Sequence, residues 1–358
     1  MRSNTLSVQP AVTSGRSNYL TILEDAWQVH LVPRTADAPT VISTFAGAGG
    51  SSLGYSMAGY RELLAVEWDD NAVETFCLNF PDVPVYHGDI AKLSVEQVLD
   101  MTGLQPGQLD VFDGSPPCQG FSTAGKRVMD DPRNGLFREY VRLLRGLQPK
   151  VFVMENVSGM VKGKMKLIFA EILRELKASG YRVSARLMNA MYFNVPQSRE
   201  RMIFIGVRND LGIEPSHPRA EVRPVTVGDA LIECIPYKVA PLLKGKQAEI
   251  AKRIPPYGDG SDVTGGAWFG HKKLDWSKPS RTINKEAWQF YHPDTSANLS
   301  IGELRRVHSF PDAFGFIGEW REASARIGNS VPPLFMRAIA LHIRRYILDN
   351  LQGDDNCA

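Results

Sequence analysis

Residues 40–54 read TVISTFAGAGGSSLG, a β-branched apolar run that leads directly into a glycine-rich turn. Valine, isoleucine and threonine favour a buried strand, and glycines let the backbone approach a ligand closely where a helix begins. Rossmann dehydrogenases use a similar turn, so this stretch alone leaves the identity of the cofactor open. It predicts the first strand of an α/β sheet, with a ligand at the carboxyl end of that strand.

Further apolar runs follow and are separated by amphipathic segments. The runs are ELLAVEWD (62–69), VPVYHGDI (83–90), LDVFDG (109–114), KVFVMENV (150–157) and RMIFIGVR (201–208), and YRVSARLM (181–188) alternates with period two. Apolar residues between Leu136 and Leu147 share one helical face, and a second amphipathic helix closes at Gly180. Strands alternating with helices predict an α/β fold with a doubly wound, Rossmann-like, mostly parallel sheet.

The chain divides into segments that differ in composition and in their pattern of strands and helices. Residues 1–39 are predicted to be an N-terminal extension, with a short helix near residues 18–27. Residues 40–208 form the predicted catalytic domain, which residues 324–350 complete. Residues 209–323 are the predicted second, smaller domain and hinge. The alternation of strands and helices ends after Arg208 and is followed by a stretch rich in Pro, Gly and Lys.

Positive charge is concentrated in the second domain. The whole chain has a formal net charge of only +2, but the stretch from Lys238 to Lys285 holds ten Lys and Arg against four Asp and Glu. A solvated loop face is one interpretation of this excess, and contact with an acidic partner such as nucleic acid is the other.

The four cysteines, Cys77, Cys118, Cys234 and Cys357, form no CxxC pair and show no metal-ligand spacing, so no metal site is predicted. Sparse cysteines suit a reducing compartment. The first residues lack the apolar core of a signal peptide, and no run approaches the roughly 20 apolar residues of a membrane span. The sequence therefore predicts a cytoplasmic protein without membrane association.

Polar and aromatic residues stand at the ends of the second and third runs. Glu67 follows the glycine turn by about twenty residues, at the position where a carboxylate can hold ribose hydroxyls. Trp68 offers a face for stacking an adenine, and Asp89 ends the next run. A strand-end cap is the alternative for either acid taken singly, but the three features together favour a cofactor that contains adenosine.

Four more blocks follow the glycine turn. They are PPCQGFS (116–122), MENV (154–157), PQSRER (196–201) and GNSVPP (328–333). In this order the chain resembles the cytosine-C5 DNA methyltransferases from about Thr40 to Ile347. The resemblance implies S-adenosyl-L-methionine as the methyl donor and a specific double-stranded DNA sequence as the substrate. It also implies a target recognition domain within residues 209–323 and a last block that returns beside the first strand.

The catalytic candidates follow from the chemistry of cytosine. Carbon 5 is a poor nucleophile until a thiolate adds to carbon 6, and a cysteine suits that step. Cys118 follows Pro116 and Pro117, which set an extended approach; an inert buried cysteine is the alternative. Glu155 ends the neighbouring strand and is expected to bind ring nitrogen N3 and the exocyclic amine. Asn156 is expected to brace the loop.

Arg199 and Arg201 alternate with their neighbours and are predicted to face one way on an extended segment. By resemblance, Arg201 contacts the carbonyl of the flipped cytosine and Arg199 supports the site. The predicted cofactor-binding residues are Phe45, Gly47, Gly49, Gly50, Glu67, Trp68, Asp89, Ile90, Asn329 and Ser330. The predicted DNA-binding residues are Gln119, Ser122, Lys126, Arg127, Gln197, Lys272, Lys273, Arg281 and Thr282.

Two positions depart from the family pattern. Ser43 stands where the family usually has an acid, and Gly302 stands where an arginine is common. Two rival functions stay open: a tRNA-methylating member of the same family, against which Gly120 speaks, and a nicotinamide-dependent oxidoreductase, which leaves Cys118 and Glu155 unexplained. A monomer is expected, and the sequence leaves open whether a restriction or phage-defence partner exists.

Overall fold

The computed structural model describes residues 18–117, 135–161, 165–220 and 223–354. The strands in this part are β1 (Thr40–Thr44), β2 (Arg61–Glu67), β3 (Val85–His87), β4 (Val111–Gly114), β5 (Val151–Val157), β6 (Tyr181–Asn189), β7 (Gln197–Ser198), β8 (Glu200–Arg208), β9 (Lys272–Lys273), β10 (Ser280–Arg281) and β11 (Phe290–Tyr291).

The helices of the same ranges are α1 (Asn18–Leu31), α2 (Gly50–Met57), α3 (Asp70–Asn79), α4 (Val95–Thr102), α5 (Gly135–Leu147), α6 (Met165–Ala178), α7 (Val227–Leu231), α8 (Gly245–Arg253), α9 (Gly260–Thr264), α10 (Ile301–Val307), α11 (Trp320–Asn329), α12 (Pro333–Ile343) and α13 (Asp349–Asp354). A π-helical turn, Arg344–Leu348, joins the last two.

The main sheet has the strand order β3-β2-β1-β4-β5-β8-β6. Strands β1 to β5 run parallel, and β8 is antiparallel to both of its neighbours. This confirms the predicted mostly parallel α/β sheet. Because parallel strands end at one edge, the segments that follow β1 to β5 all meet there.

Successive residues of each central strand alternate between two hydrophobic clusters. In β1, Val41 faces the cluster formed with α2 and α12, whereas Ile42 faces the cluster formed with α5 and α6. Both faces of the sheet are thus covered by helices, as in a doubly wound fold.

The helix predicted within the N-terminal extension is present as α1, and it packs as part of the body. Tyr19, Leu23 and Ala26 are buried in the same cluster as α2. The Tyr19 hydroxyl donates a 2.5 Å hydrogen bond to the backbone carbonyl of Arg306, far along the chain. Contacts over this distance in sequence are not visible in local patterning.

The last block and the helix that follows it return to the glycine turn, because α12 packs directly against α2. A Cβ atom added to Gly54 would lie 2.6 Å from Cβ of Met336 and 2.7 Å from the carbonyl oxygen of Pro333, so only glycine permits this approach. The end of the chain therefore closes over the helix that begins at the glycine turn.

The region between β8 and α11 (residues 209–319), hereafter the small region, contains short helices and strands in its described part. A small cluster of Ile250, Ala251, Ile254 and Tyr291 forms a core of its own. Strand β10 pairs with β7, which connects this region to the segment that leads into β8. No helix among the described residues has the length and apolar character needed to cross a membrane.

Candidate active site

The glycine turn between β1 and α2 uses backbone angles that favour glycine. Gly47 has φ 56° and Gly49 has φ 91°, both in the left-handed region. A Cβ atom added to Gly47 would meet no heavy atom within 4 Å, so that side of the turn is open. At Gly50 the same added atom would lie 2.4 Å from the carbonyl oxygen of Val331. The turn is therefore packed on one side and open on the other.

The Glu67 carboxylate ties the glycine turn to the end of β2. One oxygen accepts a 2.8 Å hydrogen bond from the backbone N–H of Gly47. The other accepts from the backbone N–H groups of Trp68, at 2.8 Å, and Asp69, at 3.0 Å. These bonds hold the carboxylate in one position beside the open face of the turn.

Three other predicted cofactor residues lie at the same edge. Trp68 is 77% exposed, which leaves its ring available for stacking. Asp89 accepts a 3.0 Å hydrogen bond from the backbone N–H of Ala91 and thereby starts a short helical turn that contains the buried Ile90.

The C-terminal block supplies the neighbouring residues. Asn329 is exposed at the end of α11, and the buried Ser330 hydroxyl donates a 2.8 Å hydrogen bond to the carbonyl of Arg326. Ser330 Cβ would lie 3.0 Å from a Cβ atom added to Gly50. The first and last blocks of the sequence therefore meet at the glycine turn.

Glu155 and Arg201 form an ion pair at the carboxyl end of β5. Arg201 Nε lies 2.6 Å from a carboxylate oxygen of Glu155, and both side chains are largely buried. The antiparallel pairing of β5 with β8 brings the two together, since Val157 is the register partner of Arg201. The guanidinium also donates to the carbonyl of Glu200 at 2.7 Å.

Asn156 holds the chain that leads to the predicted nucleophile. Its side-chain amide donates a 3.1 Å hydrogen bond to the carbonyl of Pro116, across from β5 to the segment after β4. Its oxygen accepts from the backbone N–H of Val157 at 2.9 Å. Asn156 thus fixes the backbone at Pro116, in line with its expected role.

Arg199 is buried, and its partners differ from those of Arg201. Its guanidinium donates to the backbone carbonyls of Ile283, at 2.8 Å, and Gly328, at 3.1 Å. Burial, together with the nearby positive charge of Arg201, lowers the pKa of Arg199 to about 9. Arg199 therefore joins three segments: the approach to β8, the small region and the last block.

The model of the C-5 cytosine-specific DNA methylase family matches residues 39–228 and 259–345. The chain belongs to this family. It is 36% identical over 323 residues to the Type II methyltransferase M1.HphI of Haemophilus parahaemolyticus, a match that covers 84% of this chain and 85% of that protein. It is 31% identical over 366 residues to the Type II methyltransferase M.Sau96I of Staphylococcus aureus, covering 95% of this chain and 83% of the other.

A solved structure shows the same fold. It is that of a candidate DNA modification methyltransferase encoded within an Escherichia coli prophage, with a TM-score of 0.68 and 25% identity. The match covers 87% of this chain and 100% of that one. The protein is a DNA cytosine-5 methyltransferase, and S-adenosyl-L-methionine is its methyl donor.

The residues at the edge of the sheet fit the methyl donor of this methyltransferase. Glu67 and Asp89 present carboxylate oxygens, Trp68 is exposed, and the turn is open at Gly47. Acceptors beside an aromatic face suit the hydroxyls, amine and ring of an adenosyl group. The cofactor supplies an electrophilic methyl group when bound.

Part of the predicted site cannot be placed. Cys118 and the predicted DNA contacts Gln119, Ser122, Lys126 and Arg127 lie outside the described residues. The preceding chain is described up to Pro117.

The sequence predicts that Gln197 contacts DNA, but this residue lies in the interior of the methyltransferase. Its side chain is 0% exposed. Its amide nitrogen lies 2.9 Å from Nδ1 of His308, and its oxygen accepts a 3.1 Å hydrogen bond from the backbone N–H of Ile283. Burial lowers the pKa of His308 well below its usual value, so the ring is neutral. Both ends of the amide are used internally, which does not support the predicted contact.

The four predicted DNA contacts of the small region have different surroundings. Lys273 is only 7% exposed, so its position does not favour a phosphate contact. Lys272 is half-buried, with Nζ 5.9 Å from the centre of the Phe290 ring. The Thr282 hydroxyl donates a 2.7 Å hydrogen bond to the carbonyl of Ser198.

Two cations lie over the ring of Tyr257, and the sequence predicts only one of them, Arg281, as a DNA contact. The Arg281 guanidinium lies 4.6 Å from the centre of the Tyr257 ring and donates to the Tyr257 carbonyl at 2.8 Å. Lys278 Nζ, which was not singled out from the sequence, lies 4.5 Å from the same ring and is exposed. The only signal in the sequence is the spacing of the two cations, which says nothing about a ring twenty residues away.

Proposed function

We propose that this methyltransferase modifies one specific sequence in double-stranded DNA, through a transient covalent bond between Cys118 and carbon 6 of a flipped cytosine. The hydrogen bond from Asn156 to Pro116 carries the proposal most directly. It fixes the chain two residues before Cys118 beside β5, which carries Glu155 near its carboxyl end. The nucleophile and the carboxylate would then reach one pocket from adjacent strands.

The roles of the other residues follow from the direction of electron flow. When the thiolate adds to carbon 6, the electron pair of the double bond moves toward carbon 5, and charge develops on the ring at N3. Glu155 would hold N3 and the exocyclic amine, while Arg201, already paired with Glu155 at 2.6 Å, would hold the ring carbonyl. After methylation, loss of the carbon-5 proton and cleavage of the carbon–sulfur bond return the free thiolate.

The small region, with its flanking segments in residues 209–323, is proposed to be the target recognition domain and hinge. Arg281 and Thr282 lie beside the segment that leads to Arg201, because β10 pairs with β7. Lys278 and Arg281 place two positive charges on one side of this region, where phosphates of a duplex would lie. We propose that the enzyme acts as a monomer in the cytoplasm and, like a Type II methyltransferase, as part of a restriction–modification system.

Trapping of the covalent intermediate tests the proposal. Fluorine at carbon 5 cannot leave as a cation, so duplex DNA with 5-fluorocytosine at the target should form a denaturant-resistant complex that requires the methyl donor. Cys118→Ala should abolish the complex and leave ordinary DNA binding in place. The matched variants Cys77→Ala, Cys234→Ala and Cys357→Ala should each still form it.

Two outcomes would contradict the proposal. A stable complex in Cys118→Ala would exclude Cys118 as the nucleophile. Transfer of labelled methyl groups to tRNA, without transfer to duplex DNA, would instead favour the RNA-methylating alternative.

A further inference from the structure

A layer of polar side chains is buried between α2 and the main sheet. Ser43 on β1 and Asp113 on β4 are register partners, so their side chains lie on the same face. They are 0% and 2% exposed. Ser51, Ser52 and Tyr55 of α2 are buried above them. The layer lies directly behind the glycine turn, since α2 starts at Gly50.

Asp113 joins this layer to β4, the strand that precedes Cys118. Its carboxyl accepts a 3.2 Å hydrogen bond from the Tyr55 hydroxyl, and the Ser51 side chain also hydrogen-bonds it. Its backbone carbonyl accepts a 3.0 Å hydrogen bond from the Thr44 hydroxyl on β1. Asp113 thus links α2 and β1 to the end of β4, five residues before Cys118.

The backbone around this link has little freedom to move. A Cβ atom added to Gly114 would lie 2.4 Å from Oγ1 of Thr44 and 2.7 Å from the ring of Tyr140. Two residues later, the Pro116 carbonyl is held by Asn156. A displacement of Asp113 would therefore also displace the chain that leads to Cys118, because the tightly packed segment between them cannot absorb it.

A second carboxyl lies in the same layer. Ser52 Oγ donates a 2.9 Å hydrogen bond to Glu62 and lies 3.5 Å from Oγ of Ser43. The other oxygen of Glu62 is buried without a hydrogen-bond partner among the described residues. Burial raises the pKa of Glu62 to about 7 and that of Asp113 to about 8, so Asp113 is mainly protonated at neutral pH.

We propose that Asp113 is a positioning residue, which sets the glycine turn and the strand that leads to Cys118 at a fixed distance through its hydrogen bonds to α2. Only the expected effect on turnover rests on the proposed role of Cys118. The expected effect on cofactor binding concerns α2 and the turn at Gly47–Gly50, and it is the same whichever residue is the nucleophile. Ser43 on β1 stands where the family usually has an acid, and its register partner is Asp113 on β4. In this chain, β4 therefore supplies the carboxyl that β1 lacks.

The experiment compares four variants: Asp113→Ala, Asp113→Ser, Tyr55→Phe, and the double variant Ser43→Asp/Asp113→Ser. Loss of the buried bond should weaken binding of S-adenosyl-L-methionine by about tenfold in Asp113→Ala and Asp113→Ser, and by a smaller factor in Tyr55→Phe. The turnover number should fall at saturating cofactor as well. The double variant should bind the cofactor within about threefold of the wild type, since the carboxyl is restored from β1 at nearly constant volume.

Ile172→Ala, a cavity variant in α6 on the opposite face of the sheet, is the control for lost stability. It should lower the melting temperature to a similar extent and leave cofactor affinity unchanged. Cofactor binding is also measured in the Cys118→Ala background, so that this arm does not depend on the nucleophile.

Three results would overturn the inference. The first is cofactor affinity in Asp113→Ala equal to that of Ile172→Ala. The second is a double variant that binds no better than Asp113→Ser. If Asp113→Ala does not fold, Tyr55→Phe decides alone, and wild-type cofactor affinity and turnover in that variant would reject the proposal.

Discussion

The catalytic edge of the sheet and the small region hold their charges in different ways. At the edge, Glu155 is paired with Arg201 at 2.6 Å, and the Glu67 carboxylate accepts three backbone N–H groups. In the small region, the exposed Lys278 lies over the Tyr257 ring, and Arg281 lies over the same ring while it donates a hydrogen bond to the Tyr257 carbonyl. Buried ion pairs fix a charge for chemistry, whereas an exposed cation such as Lys278 can adjust to a duplex.

The sharpest test of this difference is Glu155→Gln, which keeps the shape of the side chain and removes its charge. Turnover should fall by about two orders of magnitude or more, because the charge that develops on the cytosine ring loses its partner. Single-turnover methyl transfer to duplex DNA measures this effect.

Glu171→Gln is the matched control for Glu155→Gln. Glu171 pairs with Arg174 on the surface of α6, so its loss should leave turnover unchanged. Cofactor affinity should stay at the wild-type value in both variants. A collapse of cofactor affinity in Glu155→Gln would move this residue to the cofactor pocket.

Charges of the small region should act on binding rather than on chemistry. Lys272→Ala combined with Lys278→Ala should weaken DNA binding by about tenfold near physiological salt and reduce the slope of log K against log salt by up to about 2. Turnover at saturating DNA should change little. Titrations at several salt concentrations measure the slope.

The buried Lys273 sharpens the same comparison. Lys273→Met should leave the salt slope at the wild-type value, because Lys273 is only 7% exposed and little of its surface can reach a phosphate. An unchanged slope in the Lys272→Ala/Lys278→Ala variant would mean that those lysines form only a solvated face.

The smallest expected effect concerns the pH dependence of stability. Asp113 faces Ser51 and Tyr55 of α2, Glu62 of β2, Glu155 of β5 and Tyr140 of α5, and none of these groups is a cation. Its pKa is raised by burial to about 8, so its contribution to stability is present at low pH and is lost as the pH rises toward that value.

Asp113→Asn mimics the protonated carboxyl at every pH. Its melting temperature relative to the wild type should therefore increase between pH 5 and pH 8.5, by roughly 2 °C or more. Thermal unfolding at a series of pH values measures the difference. A difference that does not vary with pH would show that Asp113 does not titrate in this range in the folded protein.

Much of the fold was predictable because its signals are local. The apolar run KVFVMENV, the stripe of α6 and the glycines after β1 each act over a few residues, and the structure confirms all three elements. The sequence also placed Glu155 near a strand end, although β5 continues two residues further, to Val157. The pairing of Glu155 with Arg201 was not predictable in this way, because that contact depends on β8 entering the sheet antiparallel beside β5.

The sequence by itself determined the order of the elements, the family and the residue types available for the chemistry, since these are properties of contiguous segments. Only the tertiary structure decided which side chains are accessible. Gln197 and Lys273 lie in polar or basic stretches, yet both are buried, whereas Lys278 is exposed on a ring. Asp113 likewise carries no local sign of its role. Burial and partner depend on segments far apart in the chain, and packing alone brings those segments together.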